Sequence, residues 1–398
     1  MKKILFVINT IGRAGAENAL LELLRRIDKT KYRVSLLILT GQGELAGDIP
    51  EGVKVLNEKL IPVSVHSEEG RRYLRKTVIK ALIKRLNILQ LFPYFVSNGF
   101  RMLKAKQFRT EKLLWRAISD GAPRIESRYD LAISYIEGAS AYYVADHVKA
   151  DKKAAFIHVD YNEAGYTRKL DRNCYLNFDK IFGVSDEVIE VFRSVYPEMK
   201  DKTGVFHNLL NSEKIIKRSK EPGGFDDDFD GIRLLTVGRL MAQKAFEESI
   251  KACHILKQKG ENIKWYVLGE GDQRKKLEAL IDELNLKKDF ILYGSVENPY
   301  PFISQADIYV HCSRFEGKSI AVQEAQILGK PIVVSDCSGN REQVVQNVDG
   351  IICEFDSKCI AEAIEGLIHD KAKRESIAEK ASLKNDNEGE NLNKLLEI

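Results

Sequence analysis

The chain has 398 residues, of which 44% are hydrophobic and 30% are charged, and its formal net charge is +4. This composition is typical of a globular protein, and the length is sufficient for two domains. The sequence predicts no bilayer-spanning segment, because no apolar run approaches the roughly 20 residues required. The short apolar run at the N-terminus predicts a first strand rather than a signal peptide.

Six cysteines are scattered along the chain without a C-x-x-C pair, so neither a zinc site nor a disulfide framework is indicated. We therefore expect reduced thiols and a cytoplasmic protein. Packing is the favoured role of Cys312, because a nucleophilic thiol would need a paired base that the sequence does not show.

The first half of the chain predicts alternating strands and helices. Strand 4–8 leads into the loop NTIGRAGAEN and an amphipathic helix at 16–27. A strand, a glycine loop and a helix open a doubly wound parallel sheet. Gly12 and Gly15 would let the backbone approach a bound phosphate or acceptor group, although the third glycine of the dinucleotide fingerprint is absent. Further strands are predicted at 33–39, 53–56, 129–135, 153–158, 182–185 and 204–208.

Residues 71–116 form a basic segment, with thirteen Lys or Arg and one acid, Glu111. The segment reads as helical and amphipathic, and Pro93 is expected to break the helix. Three interpretations stay open: a helical pair with a solvated basic face, attachment to an anionic membrane, and nucleic-acid binding. The one-sided charge favours the membrane, and no recognition motif supports nucleic acid.

The second half repeats the first in architecture. Residues 212–230 are polar and rich in Gly and Asp, which predicts an interdomain linker whose acids at 226–228 are solvated. A second α/β series follows, with elements predicted at 232–237, 246–259, 264–268, 272–284 and 290–293. We therefore predict two Rossmann-like domains with parallel sheets facing a central cleft, at 1–211 and 231–375, and a helical segment at 376–398 that packs back on the first domain.

The most informative stretch is 306–335, ADIYVHCSRFEGKSIAVQEAQILGKPIVVS. A buried strand at 307–312 and a loop at 313–318 precede a helix with Ser319 as its N-cap and Gly329 just past its end. A helix N-terminus presents unpaired N–H groups and a partial positive charge, which suit a phosphate group.

Cations and glycines lie on the same predicted rim, because parallel sheets place ligands at the carboxyl ends of their strands. Arg239 and Lys244 follow one strand, and the GEGDQR loop that starts at Gly269 follows the next. Together with the helix N-terminus, they favour a diphosphate site over isolated surface charges.

Two acids and a histidine complete the candidate set. Glu316 lies in the loop and Glu324 in the helix, and eight steps of about 100° leave them about 80° apart, so they would serve different parts of one extended ligand. His158 ends a strand of the first domain, and an active-site role is favoured over a structural one.

These residues fall in motifs that resemble retaining glycosyltransferases of family 4, group 1, which have the GT-B fold. The motifs are SRFEGKSIAVQEAQILGKPIV, VGRLMAQKAFEESI, YVLGEGDQRKKLE, IGRAGAEN and HNLLNSEKI, and they are spread over most of the chain. The resemblance implies that Glu316 contacts the transferred sugar, that Glu324 contacts the ribose, and that Arg239 and Lys244 bind the donor diphosphate.

The resemblance also implies that His158 contacts the donor sugar beside the scissile bond, which makes His158 and Glu316 the catalytic pair. The implied donor-binding set is Arg239, Lys244, Gly269, Gly317, Lys318, Ser319 and Glu324. Three features depart from the family pattern: Lys318 stands where an apolar residue is common, Ala245 replaces a glycine, and the opening loop has GRAGAE for G-G-A-E.

The expected activity is transfer of a hexose from a nucleoside diphosphate sugar, most often a UDP-sugar, to an envelope glycan or lipid-linked acceptor, with the anomeric configuration retained. The sequence EGKS at 316–319 resembles the corresponding sequence in enzymes of capsule and exopolysaccharide synthesis. We expect no cofactor and no metal ion, a peripheral position on the inner face of the cytoplasmic membrane, and no nucleic-acid partner. The alternatives are a nucleotide-sugar epimerase on the same fold and a non-catalytic partner protein.

Overall fold

A computed structural model describes residues 1–65, 67–83, 87–104, 110–383 and 388–398 of the chain. It divides the chain into two compact units. The first comprises Met1–Leu210 together with a helix at the C-terminus, and the second begins at Asn211.

The first unit is built on a parallel sheet, which has seven strands in the described residues, in the order β3-β2-β1-β4-β5-β6-β7. Its strands are β1 (Lys2–Ile8), β2 (Tyr32–Ile38), β3 (Val53–Val55), β4 (Tyr129–Ser134), β5 (Ala150–Ile157), β6 (Lys180–Gly183) and β7 (Thr203–Val205). Its helices are α1 (Gly15–Arg26), α2 (Glu68–Ile83), α3 (Asn87–Lys104), α4 (Thr110–Gly121), α5 (Ala139–His147), α6 (Arg168–Asp171) and α7 (Asp186–Val195).

The second unit repeats this plan with a parallel sheet of six described strands in the order β10-β9-β8-β11-β12-β13. Its strands are β8 (Ile232–Val237), β9 (Ile263–Leu268), β10 (Phe290–Gly294), β11 (Ile308–His311), β12 (Ile332–Ser335) and β13 (Ile351–Cys353). The helices from this point of the chain onwards are α8 (Ser212–Ser219), α9 (Phe246–Gln258), α10 (Arg274–Glu283), α11 (Tyr300–Gln305), α12 (Ile320–Ile327), α13 (Ser338–Gln343), α14 (Ser357–His369), α15 (Lys371–Ser382) and α16 (Glu388–Leu396).

Both faces of the second sheet are covered, which explains why its strands are continuous apolar runs. Leu234 and Val310 belong to one buried cluster, whereas Leu235 and Tyr309, their neighbours in sequence, belong to the other. Successive side chains of a strand point to opposite faces, so a strand covered by helices on both sides must be apolar throughout.

The strand order of each sheet reverses once, between β1 and β4 in the first unit and between β8 and β11 in the second. Because the connections leave in opposite directions at that point, the loops after these strands are free to form a ligand crevice. The folding pattern of each unit thus concentrates the loops that follow β1, β4, β8 and β11.

The predicted linker at 212–230 contains a helix and an acid that forms ion pairs. Helix α8 begins at Ser212, and Asn211 caps it by accepting the N–H of Lys214 at 2.8 Å. Asp227 pairs with Lys264 at 2.7 Å and with Arg233 at 3.0 Å. The prediction of a solvated acid is therefore wrong for Asp227, because its partner Lys264 lies 37 residues further along the chain, which local composition does not show. Asp226 and Asp228 are exposed, as predicted.

Two further predictions about helices differ from the structure. Pro93 lies inside α3 instead of ending it, and both Pro93 and Leu89, the residue whose carbonyl loses its usual helical donor, are exposed. The predicted segment 376–398 is divided between the units: Ile377 of α15 joins a core cluster of the second unit, and Leu395 of α16 is buried in the core of the first.

No helix among the described residues is both long and apolar enough to span a membrane.

Candidate functional site

The candidate site of the second unit lies where β8 and β11 end. The loop after β8 carries Arg239 and a short 3-10 helix that ends at Lys244, and the loop after β11 carries Glu316. Two backbone-directed contacts join the loops: Gln243 Nε2 donates to the carbonyl of Phe315 at 2.8 Å, and the N–H of Arg314 donates to the carbonyl of Gln243 at 2.9 Å. The loops are therefore held as one layer.

A buried polar cluster lies at the centre of this layer. Lys244 Nζ donates to Glu316 Oε1 at 2.5 Å, and His311 Nε2 lies 3.1 Å from each of these two atoms. Ser319 Oγ is 3.2 Å from the same His311 nitrogen. Glu316 and His311 are both buried, at 6% and 1% exposure. A carboxylate is tolerated there because an ammonium group and a ring nitrogen accompany it.

The charges of the cluster are coupled. Burial alone would raise the pKa of Glu316, but the Lys244 ammonium and the contact with His311 outweigh it and hold that pKa well below its usual range. Burial and the neighbouring Lys244 charge lower the pKa of His311, so its ring is neutral at pH 7. Its Nε2 can accept from Lys244 or donate to Glu316, but not both at once.

Helix α12 begins directly beside this cluster. Ser319 occupies the N-cap position as predicted, but its side chain does not cap the helix, since the hydroxyl contacts His311 instead. Gln343 of α13 holds the same residue by its backbone, accepting its N–H at 2.7 Å and donating to its carbonyl at 2.8 Å. Gly329 ends the helix with a φ of 61°, as the sequence predicts.

Glycines allow the loops of this site to approach each other. Gly269 has a φ of 154°, and a Cβ there would lie 2.0 Å from the carbonyl oxygen of Gly238. A Cβ at Gly339 would lie 2.3 Å from the carbonyl oxygen of Gly317. The backbone of Gly317 is thus packed against α13, while Lys318 beside it is half-buried.

Ala245 adopts a conformation that normally requires glycine. Its φ and ψ are 44° and 43°, and its methyl group is fully buried. An L-residue in this left-handed region costs about 1–2 kcal/mol. Ala245 therefore keeps the backbone turn that the glycine of the family pattern would form. It does so with local strain directly after Lys244.

Arg239 and Glu324, two further predicted residues, differ in their surroundings. Arg239 is exposed at the end of β8. Glu324 is buried in α12 and accepts a hydrogen bond from the hydroxyl of Tyr300 at 2.9 Å. Burial raises the pKa of Glu324 to about 7, although the Tyr300 hydrogen bond and the charge of Arg218 oppose this rise. Glu324 and Glu316 are thus two acids with opposite pKa shifts on one helix-loop unit.

In the first unit, His158 follows β5 and interacts with the loop after β4. Its backbone N–H donates to Glu137 Oε2 at 3.0 Å, and its ring lies 5.2 Å from that of Tyr135. Burial lowers the pKa of His158 to about 4, so the ring is neutral. Asn9, after β1, donates to the Glu137 carbonyl at 3.1 Å, which joins the three loops at the edge of the sheet.

The predicted glycines of the opening loop are close to the same edge. Gly15 is the first residue of α1, and a Cβ at Gly12 would lie 3.3 Å from Glu44 Oε2. Neither has a positive φ. The structure therefore places them beside the loop after β1 but does not require glycine for a left-handed turn at either position.

The structure brings together Lys244, Gly317, Ser319 and Glu316. It places Arg239 and Gly269 on the loops after β8 and β9 and Glu324 in α12, whereas His158, Gly12 and Gly15 belong to the other unit. Sequence reasoning missed His311, Gln343 and Glu137. A histidine at the end of the apolar run IYVH was a usable signal for His311. Gln343 and Glu137 had none, because their roles depend on contacts between distant segments.

Comparisons with known proteins identify a family and several similar chains. Residues 220–384 match the family model described as glycosyl transferases group 1. The chain is 28% identical over 390 residues to the N-acetylgalactosamine-N,N'-diacetylbacillosaminyl-diphospho-undecaprenol 4-alpha-N-acetylgalactosaminyltransferase of Campylobacter jejuni, covering 96% of this chain and 94% of that protein. It is also 32% identical over 203 residues to the capsular polysaccharide biosynthesis glycosyltransferase CapM of Staphylococcus aureus. This alignment covers 49% of this chain and 47% of CapM.

Among solved structures, Anabaena HepE in complex with UDP superposes with a TM-score of 0.65 at 16% identity, covering 96% of this chain and 94% of HepE. At that identity the match shows the fold alone. This match confirms the predicted GT-B fold class, and the family model confirms the resemblance to group 1 glycosyltransferases.

We predict that Gly269→Ala destabilises the second unit by about 2–4 kcal/mol, because the new methyl group would overlap the Gly238 carbonyl. The measurement is urea unfolding followed by the fluorescence of Trp265, which is buried in this unit, in a Trp115→Phe background. Gly366→Ala is the matched control: it has no neighbour within 4 Å, lies in α14, and should leave stability unchanged or raise it by up to about 1 kcal/mol. Equal stability of Gly269→Ala and wild type would contradict the prediction.

The raised pKa of Glu324 predicts a specific pH dependence. The folded state binds a proton that the unfolded state releases near pH 4.5, so the stabilisation is complete below that pH and is lost as the pH rises through about 7. The free energy of unfolding of Glu324→Gln minus that of wild type should therefore be larger at pH 8 than at pH 4.5. The expected increase is on the order of 2–3 kcal/mol in favour of the variant. The same Trp265 unfolding assay measures this. Glu379→Gln, at an exposed position of α15, should follow wild type; a Glu324→Gln curve parallel to wild type would refute the pKa assignment.

Proposed function

We propose that this chain, whose residues 220–384 belong to the group 1 glycosyltransferases, transfers a hexose from a nucleoside diphosphate sugar to an envelope glycan or lipid-linked acceptor. The carrying observation is the buried Lys244–Glu316–His311 cluster beside the N-terminus of α12, at the strand-order reversal of the second unit. Such a cluster combines fixed hydrogen-bond acceptors for a sugar with positive charge for a phosphate.

Glu316 is suited to hold the transferred sugar. Its depressed pKa keeps it ionised, and an ionised carboxylate only accepts hydrogen bonds, which matches the hydroxyl donors of a hexose. Lys244 compensates its charge, so the carboxylate does not repel a diphosphate nearby. In this proposal His311 Nε2 keeps the Glu316 carboxylate oriented by its contact with Oε1, and the Ser319 hydroxyl contacts the same His311 nitrogen.

The leaving diphosphate would be stabilised by positive groups of the protein. Arg239 is exposed at the rim, Lys244 has donor N–H groups beyond the one directed at Glu316, and α12 adds the partial positive charge of its N-terminus. Preorganised groups of this kind stabilise charge that develops in a transition state. We propose that they serve in place of a metal ion and that no cofactor takes part.

The nucleotide portion would extend towards Gly269 and Glu324. Gly269 approaches Gly238 so closely that no side chain fits there, so backbone groups line this part of the rim. In this proposal they bind the phosphate next to the nucleoside. Glu324 would accept from the ribose hydroxyls, and those donors would favour its ionised form. UDP is the proposed nucleotide, supported by the fold shared with UDP-bound HepE.

The first unit supplies the acceptor side in this proposal. His158, whose ring is neutral and whose backbone N–H donates to Glu137, is assigned to the sugar near the scissile bond, while the loop with Gly12 and Gly15 borders the acceptor. We propose retention of configuration by a front-face reaction, in which the acceptor attacks from the side that the diphosphate leaves. The names of the Campylobacter and Staphylococcus relatives support a lipid-linked or capsular acceptor.

Removing either member of the central ion pair should abolish transfer. We expect Glu316→Gln and Lys244→Met to lower kcat/KM by at least about a hundredfold, because each removes a group aligned with the reacting sugar or diphosphate. The assay measures nucleotide release and the glycosylated product with a UDP-hexose and an undecaprenyl-diphosphate-linked amino sugar, and NMR of the product gives its anomeric configuration.

Lys358→Met and Glu362→Gln are the matched controls, since this pair lies on the exposed face of α14 at 4.0 Å. They should retain wild-type turnover. Wild-type activity in folded Glu316→Gln and Lys244→Met would overturn the site assignment. A rearranged nucleotide sugar formed without acceptor would instead identify an epimerase.

The donor nucleotide can be tested without an acceptor. We expect UDP and UDP-sugars to raise the thermal midpoint of unfolding, since saturation at a hundred times Kd adds about 2.7 kcal/mol of stability. GDP and ADP should shift it less, and Arg239→Ala should reduce the shift while Lys358→Ala does not. Equal shifts for all three nucleotides would contradict a uridine-specific site.

A further inference from the structure

Helix α3 is apolar on two opposite faces, although only one of them is packed. Leu91, Tyr94 and Asn98 form the buried face. Tyr94 also donates its hydroxyl hydrogen to the carbonyl of Leu170 at 3.1 Å, which attaches the helix to the first unit. The helix is thus fixed in orientation, and its outer face is presented to the surroundings.

That outer face consists of large apolar side chains. At about 100° per residue they fall within an arc of about 80°, and they extend for about 21 Å along the helix. All are between 55% and 71% exposed, which is unusual for residues of this type in a contiguous row. The residues of this row, called here the apolar stripe, are Leu89, Phe92, Val96, Phe100 and Leu103.

Helix α2 continues the surface with positive charge. Ile79 and Ile83 are 55% and 69% exposed and lie on the face of α2 that also carries basic residues. The exposed basic residues of α2 are Arg71, Arg72, Arg75, Lys76 and Lys80. Apolar side chains bordered by Lys and Arg are the pattern of a helix that lies in the interface of an anionic bilayer.

We propose that the outer faces of α2 and α3 form a membrane-docking surface for anionic lipid. The apolar stripe enters the acyl boundary, and the basic residues of α2 contact the headgroups. Binding is parallel to the membrane plane, because no described helix is long and apolar enough to cross it. A symmetric pairing with a second copy is disfavoured by charge, since a twofold interface would bring the same basic helices together.

The docking surface is mechanically connected to the acceptor side of the first unit. Gly121 of α4 lies against α2 so closely that a Cβ there would be 2.4 Å from Ala81 Cβ. Further along α4, Trp115 Cδ1 would be 3.5 Å from a Cβ at Gly138, which directly follows Glu137. Helix α4 therefore lies in contact both with α2 and with the loop whose Glu137 accepts the backbone N–H of His158. A membrane-held acceptor would be delivered to this side of the unit.

Vesicle flotation tests the surface directly and needs no enzymatic activity. The full-length protein is mixed with vesicles of phosphatidylcholine alone or with 30% phosphatidylglycerol, an amount chosen as roughly that of an anionic leaflet. Wild type should float with the anionic vesicles. Phe92→Ser/Phe100→Ser should lower the partition coefficient by on the order of tenfold or more, and Arg75→Glu/Lys76→Glu should do the same in a salt-dependent manner.

Two matched controls separate a specific surface from general stickiness. Leu383→Ser changes an equally exposed apolar residue at the end of α15, and Lys358→Glu/Lys371→Glu reverses two exposed charges of the second unit. Both should bind as wild type. Equal binding by all variants, or absence of wild-type binding, would overturn the proposal. So would a wild-type dimer in light scattering that Phe92→Ser/Phe100→Ser converts to a monomer without any vesicle binding.

The delivery of a membrane-held acceptor rests on the proposed function, so it is tested separately. Phe92→Ser/Phe100→Ser should retain transfer to an acceptor dispersed in detergent and lose most transfer to the same acceptor in vesicles. Loss of both activities, or retention of both, would contradict delivery through this surface. Failure of wild type in both formats would count against the glycosyltransferase proposal, while the flotation result would stand by itself.

Discussion

The ion pair between Lys244 and Glu316 is the interaction on which the candidate site depends. A carboxylate with 6% exposure cannot remain ionised without compensation, and the 2.5 Å contact with Lys244 supplies it. Buried pairs of this kind contribute little net stability, because desolvation offsets their attraction. Their value here is positional, since the two groups come from separate loops and can meet only when β8 and β11 are adjacent.

The surrounding backbone is arranged to keep that pair in place. Gly269 passes so close to Gly238 that no side chain would fit, and Gln343 binds both backbone groups of Ser319. Ala245 accepts a left-handed conformation immediately after Lys244. Strain and close approach are tolerated at functional loops when rigid neighbours over-determine them. The central sheet, covered on both faces, is that rigid neighbour.

Sequence patterns predicted the strands well, because central parallel strands are continuous apolar runs. The positions of Glu316, Lys244 and Ser319 after predicted strands also indicated that these residues are neighbours. The patterns were wrong for Asp227, which was predicted to be solvated, because Lys264, distant in sequence, pairs with it. They were also wrong for Pro93, because α3 continues through this exposed position. His311 was overlooked because a lone histidine in an apolar strand is ordinarily structural.

Each unit places a buried acid at the reversal of its sheet, and the pKa values of the two acids shift in opposite directions. Lys244 and His311 hold the pKa of Glu316 well below its usual range, whereas burial raises the pKa of Glu137 although the N–H of His158 and the charge of Lys112 oppose the rise. The two acids thus differ because their surroundings differ: an ammonium group and a ring nitrogen lie within hydrogen-bond distance of Glu316, whereas burial dominates at Glu137. The same position in the strand order therefore holds a carboxylate that stays ionised in one unit and one that binds its proton more tightly in the other.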